Sequence, residues 1–104
     1  MRRVRVCSES DLRDQRGLRV AVEGLEIAVF RRNGKVLAVK NVCAHQHFSV
    51  LHQGQLDGFT VTCPMHGWSY DLRTGKSTSG QGAVASYAAC IEAGDVYIDI
   101  PDGP

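Results

Sequence analysis

Asn33-Gly34 stands between two alternating runs, Phe30-Arg31-Arg32 and Lys35-Val36-Leu37-Ala38-Val39. An Asn-Gly pair in that setting is the strongest short-range hairpin signal, because both central residues of a type I′ turn need positive φ. Leu18-Arg19-Val20-Ala21-Val22 and Ile27-Ala28-Val29-Phe30 flank Glu23-Gly24 in the same manner, so residues 17–42 read as a meander. Further strands are predicted over 4–7, 59–62, 68–72, 85–91 and 96–100, the last two flanking a turn at Ala93-Gly94-Asp95. Ser8-Glu9-Ser10-Asp11-Leu12 reads as a polar turn able to cap a short helical piece, and no segment sustains a helical period over three turns. Many short strands with Gly-rich turns define the expected class: all-β, an antiparallel sandwich or barrel.

At 104 residues the chain has the size of one domain with one modest core. A domain over 1–104 is therefore expected. No stretch approaches the ~20 apolar residues of a membrane span. Met1-Arg2-Arg3-Val4-Arg5 runs into a polar segment where a signal peptide needs an apolar one, which makes the cytoplasm the expected compartment. The net charge of +1 gives no argument for a nucleic-acid partner. Its distribution is more informative. Residues 1–42 hold ten Lys/Arg and five Asp/Glu, residues 43–104 two and six, and between Cys43 and Tyr70 the only formal charge is Asp57.

The four cysteines form two classes. Cys7 and Cys90 lie within strand patterns, where a cysteine behaves as a small buried hydrophobe. Cys43 and Cys63 each open a loop at a strand end with a histidine close behind, in Cys43-Ala44-His45 and Cys63-Pro64-Met65-His66-Gly67. Two such loops with a returning strand between them can converge on one site. Two thiolates and two imidazoles suit tetrahedral zinc, but zinc sites usually take a cysteine pair first and a histidine pair second. In a Rieske centre, where two cysteines bind one iron and two histidines the other, each loop supplies one ligand to each iron. The mixed loops fit that arrangement better.

Cys43-Ala44-His45, followed by Leu56-Asp57-Gly58 and then by Cys63-Pro64-Met65-His66-Gly67-Trp68-Ser69-Tyr70-Asp71-Leu72-Arg73-Thr74-Gly75, resembles the two cluster-binding loops of Rieske-type [2Fe-2S] proteins. The short length and layout are similar to the soluble Rieske ferredoxins that serve bacterial ring-hydroxylating oxygenases. The resemblance spans roughly the whole chain, with its specificity in residues 43–75. It implies a Rieske-like sandwich or barrel whose cluster-binding subdomain, 43–70, is inserted in the β base and formed by two loops. It also implies one [2Fe-2S] cluster per chain, with Cys43 and Cys63 on one iron and His45 and His66 on the other. Two ferric ions, two sulfides and two thiolates then sum to zero charge, which suits a stretch nearly free of charge.

Rieske proteins of bc complexes carry an extra cysteine in each loop, joined as a disulfide, at positions corresponding to Phe48 and Met65 here; that disulfide cannot form in this chain. The serine and tyrosine hydroxyls that those proteins place against the cluster correspond to Trp68 and Tyr70. Hydrogen bonds to cluster sulfur favour the reduced state, so the resemblance implies a potential below that of a bc-type protein. His47 and His52 are read as exposed loop histidines. Phe48, Val50, Leu51, Pro64, Met65 and Trp68 form an apolar set that shields the cluster, offers a transient docking surface, or does both. Tyr87 and Tyr97 are read as core or sheet-face residues. The arginines of residues 2–32 are read as solvated strand faces, with a basic docking face the alternative.

The chain shows no dinucleotide motif, no nucleophile with a paired base and no mononuclear iron domain. The expected function is a monomeric one-electron carrier between a flavin-containing reductase and a terminal oxygenase, itself no enzyme. The alternatives are a small subunit of a larger oxidoreductase of the nitrite reductase type and a structural zinc module. Nothing in the sequence reports the oxygenase's substrate.

Overall fold

The computed structural model describes residues 2–14, 16–42, 50–65, 67–78 and 82–101. Among the described residues ten strands are assigned: β1 (Arg2–Ser8), β2 (Leu18–Val22), β3 (Leu25–Arg32), β4 (Lys35–Lys40), β5 (Gln55–Asp57), β6 (Thr60–Thr62), β7 (Ser69–Asp71), β8 (Ser86–Tyr87), β9 (Ala89–Glu92) and β10 (Asp95–Ile100). They form three sheets, β1-β10-β9, β2-β3-β4-β8 and β5-β6-β7. Every strand pairing is antiparallel. The all-β antiparallel expectation holds.

Ile27-Ala28-Val29-Phe30 explains how three sheets become one body. All four residues are fully buried, and successive side chains of a strand point to opposite faces. Ile27 and Val29 pack with Cys7, Val96, Ile98 and Ile100 toward the first sheet. Ala28 and Phe30 pack with Leu51, Val61, Cys63, Tyr70 and Leu72 toward the third. The middle sheet is thus covered on both sides, as an uninterrupted apolar run requires.

Three hairpins share one turn chemistry. Glu23-Gly24, Asn33-Gly34 and Ala93-Gly94 all have positive φ at both positions, and each joins a directly paired couple: Val22 to Leu25, Arg32 to Lys35, Glu92 to Asp95. Glu9–Asp11 forms a 3-10 turn after β1, with the Ser8 N–H donating to Asp11 Oδ2 at 3.0 Å. That is one arm of a capping box.

Two expectations need correction. Residues 85–91 are not one strand: β8 pairs with β4 through Ala38–Tyr87 and Val39–Ser86, whereas β9 pairs with β10. The chain changes sheets at Ala88, whose carbonyl accepts from the Asp99 N–H at 2.9 Å. Cys90 pairs with Tyr97 and is half-buried, whereas Cys7 is buried as expected. Tyr87 packs at the edge of the core between the first two sheets, in keeping with its predicted role, and Tyr97 is half-buried.

The arginines of the first third are mostly paired: Arg2 with Glu23, Arg3 with Glu92 and Asp99, Arg5 with Asp95, Arg19 with Glu26. Arg31 lies 3.7 Å from Asp14. Arg32 instead donates to the carbonyls of Gly58 and Asp14 at 2.8 and 2.9 Å, tying β3 to the β5–β6 turn. These are neutralised strand faces, as the more conservative reading had it.

The link from the third sheet back to the middle one runs through Gly75. Its N–H donates to Asp71 O at 2.7 Å, its carbonyl accepts from Val84 N at 2.8 Å, and its φ is +80°. A Cβ at this position would lie 2.0 Å from Val84 O, a backbone atom. Gly75→Ala should therefore lower the unfolding free energy by about 2 kcal/mol or more; equal melting curves for the two proteins would contradict this packing.

Candidate metal centre

Of the four predicted ligands, Cys63 lies among the described residues; Cys43, His45 and His66 lie outside them, as do His47 and Phe48. Cys63 directly follows β6. The Thr62–Ser69 pair closes the β6–β7 ladder, with the two side-chain oxygens 3.0 Å apart. Beyond it the Cys63 N–H donates to Trp68 O at 2.6 Å, and the Gly67 N–H donates back to Cys63 O at 3.1 Å. Gly67 has φ +75°, which closes the loop between them. Cys63 is thus held by its own backbone at the neck of a four-residue loop.

The Cys63 side chain is 1% exposed and belongs to the core that contains Leu51, Val61, Tyr70 and Leu72, with Val50 and Trp68 packed against it. None of Cys7, Cys63 and Cys90 is in a disulfide. Val50 and Leu51 directly follow the first predicted loop, so the chain emerging from that loop and the neck of the second meet in one apolar cluster. Tyr70 is fully buried there.

The apolar set divides. Leu51 is fully buried and is a core residue, not part of a tip, because its 3-10 turn packs under β3. Val50 and Trp68 are half-buried, while Pro64 and Met65 are exposed, Met65 at 48%. Among the described residues of the second loop, Pro64, Met65 and Gly67 are exposed.

Sequence reasoning missed what holds the first loop. Asn41 is fully buried two residues before Cys43, and Leu51–Gln53 forms a 3-10 turn just after the loop. Asn41 O accepts from the Leu51 N–H at 3.3 Å, and Asn41 Oδ1 accepts from the His52 N–H at 2.7 Å. The His52 ring lies with Nδ1 3.0 Å from Asn41 Nδ2 and 3.2 Å from Oδ1. His52 is thus a half-buried, hydrogen-bonded residue, not the exposed loop histidine expected. From the other side, the Gly17 N–H donates to His52 O at 3.2 Å, and a Cβ on Gly17 would meet His52 O at 2.8 Å. An open groove of about 580 Å³ is lined by Arg16, Gly17, His52, Gln53 and Gly54.

Burial pushes the His52 imidazole below the ordinary histidine range; Arg19 adds to this and Glu26 opposes it. Among the charged residues of this half of the molecule, Asp57 alone falls between 50 and 70. A thiol buried in an apolar core, in a chain carrying two cysteine–histidine pairs, fits a cluster held by two thiolates and two neutral imidazoles better than one needing a cationic cradle.

An antiparallel β frame with Cys63 buried in its core, in a chain carrying two Cys/His pairs, suits an iron–sulfur protein. The chain matches the Rieske [2Fe-2S] domain over residues 2–88 and belongs to that family, which carries one [2Fe-2S] cluster per chain. It is 31% identical to the 3-phenylpropionate/cinnamic acid dioxygenase ferredoxin subunit of Escherichia coli K12, over 98% of this chain and 97% of that protein. Among solved structures, the Sphingomonas yanoikuyae B1 ferredoxin superposes with a TM-score of 0.86 at 32% identity, covering 96% and 100% of the two chains. A chain in the complex of reduced oxygenase and oxidized ferredoxin in carbazole 1,9a-dioxygenase gives 0.84 at 29% identity, covering 92% and 91%.

The His52 shift has a sign. A histidine held neutral contributes stability that is present above its unfolded value, near 6.5, and lost as pH falls through its lower folded value. Unfolding free energy should therefore decline on acidification below about pH 6.5, and His52→Asn should flatten that part of the curve. An unchanged acid limb in the variant would show that His52 does not supply it.

Proposed function

We propose that this chain is the ferredoxin component of a multicomponent oxygenase system, carrying single electrons from a flavin-containing reductase to a terminal oxygenase of the aromatic ring-hydroxylating kind. The observation that carries this is the buried Cys63 at the neck of its loop, in a chain aligned with a dioxygenase ferredoxin subunit over 98% of its length. In this reading residues 1–104 are one Rieske domain with 43–70 as its cluster-binding part, and the protein works as a monomer in the cytoplasm without catalysing a reaction itself. The complex of oxygenase with ferredoxin in carbazole 1,9a-dioxygenase supports the choice of acceptor.

Cys43 and Cys63 would hold one iron and His45 and His66 the other. The bound cluster supplies reversible one-electron chemistry. What this chain supplies is the setting. The apolar core about Cys63 limits water at the thiolate side, and the neck bonds between Cys63 and Trp68 fix where that thiolate points. Exposed Pro64 and Met65 offer an uncharged contact for a short-lived partner, since weak redox encounters use small interfaces.

The test is reduction of the iron-loaded protein with dithionite, followed by transfer to a reductase–oxygenase pair in solution. A Rieske-type EPR signal with turnover that depends on added chain is expected. A colourless, EPR-silent protein would favour the zinc module, and elution only in a large stable assembly would favour a permanent subunit. Cys63→Ser should lose the visible spectrum, since the thiolate is a metal ligand and metal binding is coupled to local folding; a normal spectrum would remove that ligand. Trp68→Ser should raise the reduction potential by offering a hydroxyl to cluster sulfur, to be checked by redox titration beside the parent protein.

A further inference from the structure

Asn41 and His52 are the polar pair of this half of the molecule that electron transfer leaves unexplained. A fully buried asparagine has to satisfy an amide oxygen and an amide NH₂ away from water, which is costly unless both find partners. The His52 N–H at 2.7 Å takes the oxygen and so fixes which way the amide faces. The NH₂ group is then the neighbour of His52 Nδ1 at 3.0 Å, and it can donate there only while that nitrogen is bare. A proton on Nδ1 would face Nδ2–H and be left with the longer approach to Oδ1, 3.2 Å, on an oxygen already accepting from the backbone.

We propose that Asn41 and His52 act as positioning residues, a clasp that closes the base of the first cluster-binding loop and depends on a neutral His52. This rests on the proposal that Cys43 and His45 of that loop are ligands. The clasp joins the residue two before Cys43 to the turn that follows the loop, so it sets the separation of the loop's ends. Partners outside the ligands orient them, and losing such a partner typically costs 10–100-fold in metal affinity. Three charged residues face the ring from other elements. Arg19 of β2 disfavours its protonation and Glu26 of β3 favours it, the two being joined bidentately at 2.7 and 2.8 Å. Arg16 lines the adjoining groove together with His52.

The test uses the cluster-loaded protein, with three variants. Asn41→Ala and His52→Leu should bleach about tenfold faster in excess iron chelator and should show a displaced potential and altered EPR line shape. His52→Asn keeps an acceptor at the position of Nδ1 and should match the parent near pH 7.5. On acidification from pH 7.5 through the protonation of His52, followed by the NMR shift of its ring, the parent's potential and bleaching rate should drift, and those of His52→Asn should not. A merely structural pair would change stability without moving the potential or its pH profile. Should Asn41→Ala fail to fold, the comparison of the parent with His52→Asn decides the matter. A flat acid profile in the parent, a drift that persists in His52→Asn, or a foldable Asn41→Ala with the parent's line shape and bleaching rate would overturn the clasp. Absence of a Rieske signal in the parent itself would instead overturn the ligand assignment.

Discussion

The burial of β3 on both faces is the constraint from which the remainder follows. Residues 27 to 30 cannot meet water on either side, so a sheet has to lie above them and another below. One side chain in two, Ile27 and Val29, recruits the first sheet; the alternate two, Ala28 and Phe30, recruit the small third sheet that carries Cys63. The third sheet is therefore anchored on a strand that also packs against the first. A volume change at Phe30 bears directly on the core that holds the Cys63 thiol, because interiors are close-packed and transmit strain.

Anchoring of the two loops follows different local rules. The second loop is a hairpin end: its ladder partners, Thr62 and Ser69, are seven residues apart, and the bonds across its neck link Cys63 to Trp68 and Gly67. The first loop departs from β4 and returns into a 3-10 turn, so no ladder is available to close it. Asn41 does this with side-chain and main-chain oxygens together, and Gly17 packs against the far side of His52 without room for a Cβ. In this chain the hairpin loop is closed mainly by its ladder, and the strand-to-turn loop by the main chain and the buried side chain of Asn41.

What could be read from the sequence was whatever is encoded within a few residues. The hairpins at Glu23-Gly24, Asn33-Gly34 and Ala93-Gly94 were legible because positive φ is a local demand with few solutions. Each Cys/His pair stands out in the sequence because it lies within a single short motif, and Cys63 is found at the neck of the second. Three features were hidden. β5 contains one apolar residue, Leu56, so its three residues give no alternation to detect. The break at Ala88 leaves the apolar pattern of 85–91 intact while the hydrogen-bonding partner changes from β4 to β10. The Asn41–His52 contact joins residues on opposite sides of a loop, and a histidine there looks the same in sequence whether it faces water or a buried amide.

The cross-strand ion pairs bear on how such a molecule meets others. Arg3 and Arg5 on β1 and Arg19 on β2 each lie within about 3 Å of a carboxylate on a neighbouring strand, while mobile ions screen beyond about 8 Å in physiological salt. Opposite charges so close together cancel much of each other's field at a distance, which shortens the reach of these strand faces toward a charged partner. Gaining or losing one electron then changes by a single unit the charge of a chain whose formal net charge is +1.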